Sequence, residues 1–390
     1  MTSDAPDLAD EAVRLAAVLV GTDSVNPGLV PGAAGEAEVV ALLRARLHAS
    51  GFTTHVLLPP GRPDRPSLVA VGPDGGPGPT VVLTGHLDTV GVEGMSDPFS
   101  ARVEGDRMTG RGACDMKGGV AGMVVAAEEL VRRGTPARVV LALVADEEDL
   151  SLGTETVVDA LPGLGLSPDV ALVGEPTGLA RTASLRGYAL VEVGLRGRAA
   201  HSSQPAEGVN AVAHLGRLLA AVEQRGRELA AGGGSLMVTV ASGGESPFVL
   251  AQRARAVVER RTVPGEDAAG AVAEVEALLE EMCAADPTVE AIARLLVARE
   301  AWRLDAAGPA ADLADALDEA LGAAAPAEPL EAPYWMEAPL WQAAGVPALV
   351  CGPGGGGLHA AEEWLDLTQL RAFTAALVAA VETWAAAHAD

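Results

Sequence analysis

Basic residues are scarce in this chain. It has 27 Lys and Arg against 53 Asp and Glu, which gives a formal net charge of −26 at pH 7 over 390 residues. Binding of nucleic acid requires a basic face for the phosphate backbone, so this balance argues against a nucleic-acid partner. Most of the acidic surplus is expected on a solvated surface, and part of it could serve as ligands for cations.

Cysteine is also rare. The three cysteines, Cys114, Cys283 and Cys351, lie far apart and form no CxxC pair. An odd number of separated cysteines is typical of free thiols in a reducing compartment. The same spacing argues against a zinc site built from thiolates.

Long hydrophobic runs are missing as well. Hydrophobic residues make up 49% of the chain, yet no stretch reaches the ~18–20 uninterrupted apolar residues of a membrane span. The first residues are acidic where a secretion signal needs a basic region. We interpret them as an exposed tail that leads into an amphipathic helix, and we expect a cytoplasmic protein without a membrane partner.

Short apolar runs alternate with helical patterns through most of the chain. This alternation predicts an α/β fold with a mainly parallel sheet and helices on both faces. The predicted strands lie at 67–71, 80–84, 138–144, 170–173 and 346–351, and helices are predicted at 36–50 and 117–133.

The pattern changes after about residue 183 and reverts near residue 303. Between them we predict a half-exposed strand, a helix at 208–230, strands at 235–242 and 254–263, and a helix at 266–284. Such a segment is expected to fold as a small α+β domain inserted into a larger one. The predicted boundaries are therefore 1–182, 183–302 and 303–390.

Several acidic and imidazole residues follow apolar strands or lie in glycine-rich loops. Taken singly, each has an ordinary interpretation: a strand-end His that makes a structural hydrogen bond, a solvent-facing Glu pair, or an Asp at a helix N-cap. Their shared position matters more, because ligands bind at the carboxyl edge of open α/β sheets. The residues are His86, Asp88, Asp115, Glu147, Glu148, Glu175 and His359.

The glycine-rich loops allow a weaker alternative, a nucleotide-binding enzyme. However, the stretch around Asp115 lacks the spacing and the Lys-Ser/Thr ending of a phosphate-binding loop.

A set of motifs in a fixed order carries a family resemblance. They are "GHLDTV", "GRGACDMKGG", "ADEE", "GEPT", "GRAAHSS", "ERRTVPGED" and "GPGGGGLHAAEEW", between about residues 80 and 366. The chain thus resembles the two-zinc amidohydrolases that include acetylornithine deacetylase, succinyl-diaminopimelate desuccinylase, aminoacylase and the glutamate-releasing carboxypeptidases. This resemblance implies a catalytic domain formed by the outer segments and a lid and dimerisation domain formed by residues 183–302.

The resemblance also implies a ligand set for two divalent ions, with Asp115 as the bridge. Mixed nitrogen and oxygen ligation suits zinc, which we expect, and is compatible with cobalt or manganese. Asp88 would orient the ring of His86, and a cis peptide bond would follow Asp115. The implied ligands are His86, Asp115, Glu148, Glu175 and His359.

Three further roles follow from the resemblance. Glu147 would act as the general base. His201 of the inserted domain would reach across a homodimer interface to stabilise the oxyanion. Arg261 would receive the substrate carboxylate.

The sequence departs from the family at two places. Many relatives carry a substrate-contacting Asn on the lid about where this chain has Phe248. Either the polar end of the substrate is held differently here, or the pocket favours an apolar group. A short Asp-Ala step common in relatives is replaced by Glu337-Ala338.

We therefore expect a metal-dependent deacylase that hydrolyses a small N-acyl amino acid or related amide. One alternative is a dipeptidase or carboxypeptidase of the same family. Another is a non-catalytic homologue that binds a small molecule or a partner protein.

Overall fold

The computed structural model describes residues 7–73 and 78–389. Of the predicted N-terminal tail, residues 1–6 lie outside the described residues. The chain divides into two compact units. The large unit comprises Met1–Ala183, Leu304–Leu330 and Met336–Asp390, and the inserted unit comprises Ser184–Arg303 and Glu331–Trp335. The predicted boundaries placed residues 331–335 in the last segment instead. The lid and dimerisation role of the inserted unit stays a prediction.

The elements are numbered along the chain. The helices are α1 Leu8–Val20, α2 Ala37–Ala49, α3 Gly118–Arg133, α4 Leu152–Ala160, α5 Ala211–Leu229, α6 Ala271–Ala285, α7 Pro309–Leu321, α8 Ala338–Ala343 and α9 Leu367–Ala387. The strands are β1 Thr53–Leu57, β2 Ser67–Val71, β3 Thr80–His86, β4 Arg102–Glu104, β5 Arg107–Thr109, β6 Arg138–Val144, β7 Val170–Val173, β8 Thr182–Leu185, β9 Gly187–Arg196, β10 Ser235–Gly243, β11 Arg253–Thr262, β12 Glu290–Arg299, β13 Trp302–Arg303, β14 Leu330–Ala332, β15 Ala348–Val350, β16 Gly355–Gly356 and β17 Trp364–Asp366.

The central sheet of the large unit has the order β1-β2-β6-β3-β7-β15. Strands β6, β3, β7 and β15 are parallel to one another, whereas β2 pairs antiparallel with β6 and β1 antiparallel with β2. The predicted mainly parallel α/β fold is confirmed.

Strand β6 explains why the centre of this sheet is so apolar. Val139, Leu141 and Leu143 belong to the core cluster that also contains side chains of α1, α3 and α9. The alternate residues Val140 and Ala142 point to the opposite face and are equally buried. Both faces are therefore covered, as is typical of parallel strands.

Helix α9 is long and apolar enough to cross a membrane by length and composition alone. It is not an uninterrupted apolar run, since Thr, Gln, Arg and Glu occur within it. Phe373, Leu377 and Trp384 lie in the core cluster, and 56% of the most apolar part of the helix is buried inside the protein. A core helix of a globular domain passes the same test.

The inserted unit folds from β9, α5, β10, β11, α6 and β12, with the antiparallel order β10-β11-β9-β12. The two predicted strands at 235–242 and 254–263 correspond to β10 and β11. Strand β12 was not predicted. It lies at the sheet edge and largely alternates exposed with half-buried residues, and Arg294 interrupts its apolar pattern.

Two small sheets complete the fold, with the orders β13-β8-β14 and β16-β17-β5-β4. In the second, Trp364 of β17 pairs with Thr109 of β5. This pairing brings the glycine-rich loop after β15 next to the segment that precedes α3.

Candidate metal centre

The carboxyl edge of the central sheet carries the acidic and imidazole residues predicted for the large unit. His86 ends β3, Glu147 and Glu148 follow β6, and Glu175 follows β7. Because these strands are parallel neighbours, their side chains meet at one edge. Two loops complete the cluster. One follows β15 and carries His359, and the other carries Asp115 in front of α3.

Asp115 lies between the two histidines. Its Oδ1 is 3.1 Å from Nε2 of His86, and its Oδ2 is 3.3 Å from Nε2 of His359. On one side Nε2 of His86 lies 4.0 Å from Oε1 of Glu175. On the other, Nε2 of His359 lies 3.1 Å from Oε2 of Glu148. The two carboxylate oxygens of one Asp thus face two separate His–Glu pairs.

Asp115 does not act as a helix cap, which was its alternative interpretation. Lys117 is the N-cap of α3, and no side chain caps that end. The Asp115–Met116 peptide bond is cis, as the resemblance implied.

The donor groups suit a divalent metal. Nδ1 of His86 lies 3.0 Å from the backbone carbonyl of Asp88. Because a carbonyl can only accept, Nδ1 carries the proton there, and the lone pair of a neutral ring is at Nε2, facing Asp115. Oε1 of Glu148 is buried without a hydrogen-bond partner among the described residues. In two groups of three residues, the potential ligand atoms all lie within 4.8 Å of one another. The groups are His86, Asp115 and Glu148, and His86, Glu147 and Glu175.

Burial and mutual repulsion shift the pKa values of the carboxyl groups. Burial raises the pKa of Glu147 well above its usual value, and the charges of Glu175 and Glu148 add to the rise against the opposing effect of His86. The pKa of Glu175 is raised well above its usual value, again chiefly by burial. Both shifts favour the protonated forms of these carboxyl groups, and positive charge bound at the site would oppose them.

The neighbouring carboxylates also shift the pKa values of the two histidines. Burial by itself lowers the pKa of His86, but Asp115 and Glu175 raise it well above the usual value. Hydrogen bonds to Asp115 and Glu148 raise the pKa of the half-exposed His359 to about 10. In turn, burial works to raise the pKa of Asp115, and the two histidines hold it well below the usual range.

The carboxylate of Asp88 holds the loop after β6, which differs from its expected use. It lies 3.7 Å from Nδ1 of His86, farther than its own backbone carbonyl. Instead it accepts hydrogen bonds from the backbone N–H groups of Glu147 and Glu148, at 3.1 and 3.2 Å, and from Nδ2 of Asn26 at 2.7 Å.

A buried ionic network lies behind this loop and was not predicted. The guanidinium of Arg65 is fully buried and donates to both Glu36 and Asp146. Asn26 joins Asp146 to Asp88 through a single amide group. The network thus positions the loop through side chains from distant parts of the chain. Glu36, Arg65 and Asn26 lie outside the motifs, and although Asp146 belongs to "ADEE", no local pattern links it to them.

Glu337, the first residue of the divergent Glu-Ala step, belongs to the same acidic environment. It is 1% exposed, and its charge helps to raise the pKa values of Glu147 and Glu175.

The inserted unit contains His201, Phe248 and Arg261. The backbone N–H of Ser202 donates to the carbonyl of Phe248 at 2.9 Å, so the loops of His201 and Phe248 are neighbours. Nδ1 of His201 accepts from the backbone N–H of Ser203 at 3.2 Å. The proton of its neutral ring is therefore on Nε2, which leaves an N–H donor. Phe248 is 67% exposed.

Arg261 lies on β11 and is already paired within the inserted unit. Its Nε donates to Glu259 at 2.5 Å, and its guanidinium carbon lies 5.2 Å from the centre of the Tyr188 ring.

Comparison with known families adds to this geometry. The model of peptidase family M20/M25/M40 matches residues 82–383. The chain belongs to this family. Membership of this family confirms the prediction of a metal-dependent amidohydrolase. The protein is a hydrolase of the metallopeptidase type.

Two curated relatives carry deacylase names. An acetylornithine deacetylase from Myxococcus xanthus is 32% identical over 80% of this chain and 82% of its own length. A succinyl-diaminopimelate desuccinylase from Rhizorhabdus wittichii is 36% identical over 44% of each chain. The match to this second M20 relative therefore spans less than half of its length.

Solved M20 structures share the fold at low identity. A Staphylococcus aureus tripeptidase has a TM-score of 0.76 and 17% identity, covering 97% of this chain and 99% of that one. The Bacillus subtilis YXEP protein, described as a dinuclear metal-binding peptidase, has a TM-score of 0.73 and 16% identity, with 97% and 99% covered.

Proposed function

We propose that the protein hydrolyses the amide bond of a small N-acyl amino acid or related amide, with a metal-activated water and Glu147 as the general base. The observation that carries the proposal is the position of Asp115, whose two oxygens face two His–Glu pairs. The acetylornithine deacetylase matched over most of both chains supports a deacylase over other amidohydrolases.

The proposed ligands divide into two sets that share Asp115. His86 and Glu175 would hold one divalent ion, and His359 and Glu148 the other. Zinc fits this mixture of imidazole and carboxylate groups, as do cobalt and manganese. Bound cations would lower the pKa of a water and polarise the scissile carbonyl.

Glu147 is proposed to move the proton. It lies within 4.8 Å of His86 and Glu175, measured between ligand atoms, and burial raises its pKa. A carboxyl group with a raised pKa can take a proton from water and release it to the leaving nitrogen. Asp88 would support this role by fixing the backbone of Glu147.

The inserted unit is proposed to supply substrate contacts. His201, with its proton on Nε2, would donate to the oxyanion across the interface of a homodimer. Arg261 would bind the substrate carboxylate, and Phe248 would contact an apolar part of the substrate. We also propose that the enzyme is cytoplasmic and acts without a membrane or nucleic-acid partner.

Metal analysis combined with substrate assays tests this function. Purified protein would be analysed for metal and assayed on N-acetyl and N-succinyl amino acids and on dipeptides, before and after chelation. We expect about two divalent ions per chain and chelator-sensitive hydrolysis of an N-acyl amino acid. Turnover of dipeptides alone would favour the peptidase alternative. No metal uptake and no hydrolysis would favour the non-catalytic homologue.

The variant Glu147→Gln separates the base from the ligands. It should lower kcat by about 10²–10⁴-fold and leave the metal content unchanged. Glu104→Gln, which alters an exposed carboxylate of the same unit, serves as the matched control. Unchanged turnover in Glu147→Gln would remove this residue from the mechanism.

A further inference from the structure

Glu363 is a buried carboxylate that the proposed hydrolysis does not use. It is 1% exposed and lies four residues after His359. Its Oε1 accepts hydrogen bonds from the backbone N–H groups of Cys114 and Asp115, at 2.9 and 3.0 Å. Its Oε2 accepts from the backbone N–H of Gly112 at 3.0 Å. One carboxylate thus binds three amides of the loop that carries Asp115.

Arg111 completes the arrangement around Glu363. It is 2% exposed, and its Nη1 donates to Oε2 of Glu363 at 2.7 Å. Its other nitrogens donate to backbone carbonyls: Nη2 to Ala360 at 3.1 Å and Nε to Gly91 at 3.0 Å. The guanidinium therefore fastens the loop of Asp115 to the residue that directly follows His359.

This ion pair joins two loops that are about 250 residues apart in sequence. Glu363 is separated from Asp115 by 248 positions. The backbone N–H of Gly110 also donates to the carbonyl of Glu363, at 3.2 Å. At the ends of these two loops, Oδ2 of Asp115 and Nε2 of His359 lie 3.3 Å apart. Both side chains of the ion pair are buried, and each hydrogen bond described for them pairs a donor with an acceptor. The ion pair therefore holds the two loops in a defined geometry.

We propose that Glu363 and Arg111 are positioning residues that set the distance between Asp115 and His359 before any metal binds. The inference rests on the proposed function only in taking these two side chains as ligands. Preorganised ligands bind an ion without the cost of ordering their loops. Neither Glu363 nor Arg111 would contact the ion or the substrate.

Glu363→Gln tests the clamp with little change in shape. The amide nitrogen donates, so it must face either Gly112 and Arg111 or Cys114 and Asp115, which are donors themselves. Glu362 is exposed and adjacent, and Glu362→Gln is therefore the matched control. Two measurements would be made on metal-free protein: hydrogen exchange of the peptides at 110–117 and 357–363, and titration with Co²⁺ followed by its absorption spectrum.

We expect Glu363→Gln to exchange faster in both peptides, to bind Co²⁺ about 10–100-fold more weakly and to show an altered Co²⁺ spectrum. Glu362→Gln should match the unsubstituted protein. Equal exchange and equal Co²⁺ affinity in the two variants would overturn the proposal. Faster exchange with unchanged affinity and spectrum would also overturn it, because the clamp would then serve the fold alone.

Arg111→Lys decides the question if Glu363→Gln does not fold. Lysine keeps the charge beside Glu363 but loses the donors to Gly91 and Ala360. We expect faster exchange at 357–363 and weakened binding of the Co²⁺ held by His359, and wild-type behaviour in both would refute the clamp. If the unsubstituted protein takes up no Co²⁺, the proposed function fails, whereas the exchange data still show whether Glu363 holds the two loops.

Discussion

Replacing Asp88 with Asn should lower turnover without releasing bound metal. In the structure, one oxygen of Asp88 accepts from the amide of Glu147, and the other accepts from the amide of Glu148 and from Asn26. An Asn placed to keep the second pair of bonds points its own NH₂ group at the amide of Glu147. That buried N–H then lacks an acceptor, which costs about 1–3 kcal/mol.

The expected loss of activity follows from the displacement of Glu147. A positioned general base contributes about 10²–10⁴-fold, and a displacement of about 1 Å can cost about 10²-fold. We therefore expect kcat of Asp88→Asn to fall about 10–100-fold. The ring of His86 should keep its orientation, because Nδ1 donates to the backbone carbonyl of residue 88, which the substitution leaves in place.

Steady-state kinetics and metal titration of Asp88→Asn distinguish two roles for this residue. Asp106→Asn is the control, since Asp106 is exposed and its carboxylate forms a surface ion pair with Arg371. If kcat were unchanged and metal affinity fell about 10–100-fold, the carboxylate would be orienting His86. That result would refute the view that Asp88 acts by holding the backbone of Glu147 and Glu148.

Three further predictions concern metal, dimer and substrate. The raised pKa values of His86 and His359 stabilise the metal-free fold fully below their unfolded value of about 6.5, and this stabilisation is lost as the pH rises through the raised values. The gain in Tm on adding Zn²⁺ should therefore increase from roughly pH 6 to pH 9, and a gain that shrinks would contradict the ligand assignment. His201→Ala should lower kcat about 10²–10³-fold. Co-expression with Glu147→Gln should restore about a quarter of wild-type activity if His201 acts across a dimer, whereas no recovery would place it in its own subunit's site. Phe248→Asn should lower kcat/KM about 10-fold or more for apolar acyl groups; an unchanged preference across a series of acyl chain lengths would exclude the contact.

The position of the site could be predicted because strand direction determines it. His86 is the last residue of β3, and Glu175 lies two residues beyond β7. A residue at the end of a parallel strand, or just beyond it, lies at the carboxyl edge of the sheet. An apolar run is visible in the sequence, and so is the polar residue that ends it. Strand β12 could not be predicted in this way. It is an edge strand with an exposed face, and such a strand has no continuous apolar run in its sequence.

The use of Asp88 could not be predicted from its spacing. Two residues apart on a strand, a His and an Asp share a face, which suggests a contact between ring and carboxylate. However, β3 ends at His86, so the alternation stops before Asp88. The chain turns there, and the carboxylate meets the amides that follow β6 instead. Contacts of this kind depend on the path of the chain beyond the strand, which local sequence specifies poorly.

The buried network shows why long-range pairing limits such predictions. Arg65 is 29 positions from Glu36 and 81 from Asp146, and Asn26 is 120 positions from Asp146. No periodicity links these residues, since only the folded sheet brings them together. The composition predicts an acidic protein, but not which carboxylates are buried.

That distinction matters for the metal centre. Arg65 is one cation beside the fully buried carboxyl groups of Glu36 and Asp146, and Asp88 lies 3.9 Å away. Burial raises the pKa of Glu36, against the opposing hydrogen bond from Arg65 and with the charge of Asp88 adding to the rise. One guanidinium cannot balance these groups together with the carboxylates in front of them. Because uncompensated buried charge is costly, the network would favour cations at the sheet edge, which is where we infer that part of the acidic surplus serves as ligands.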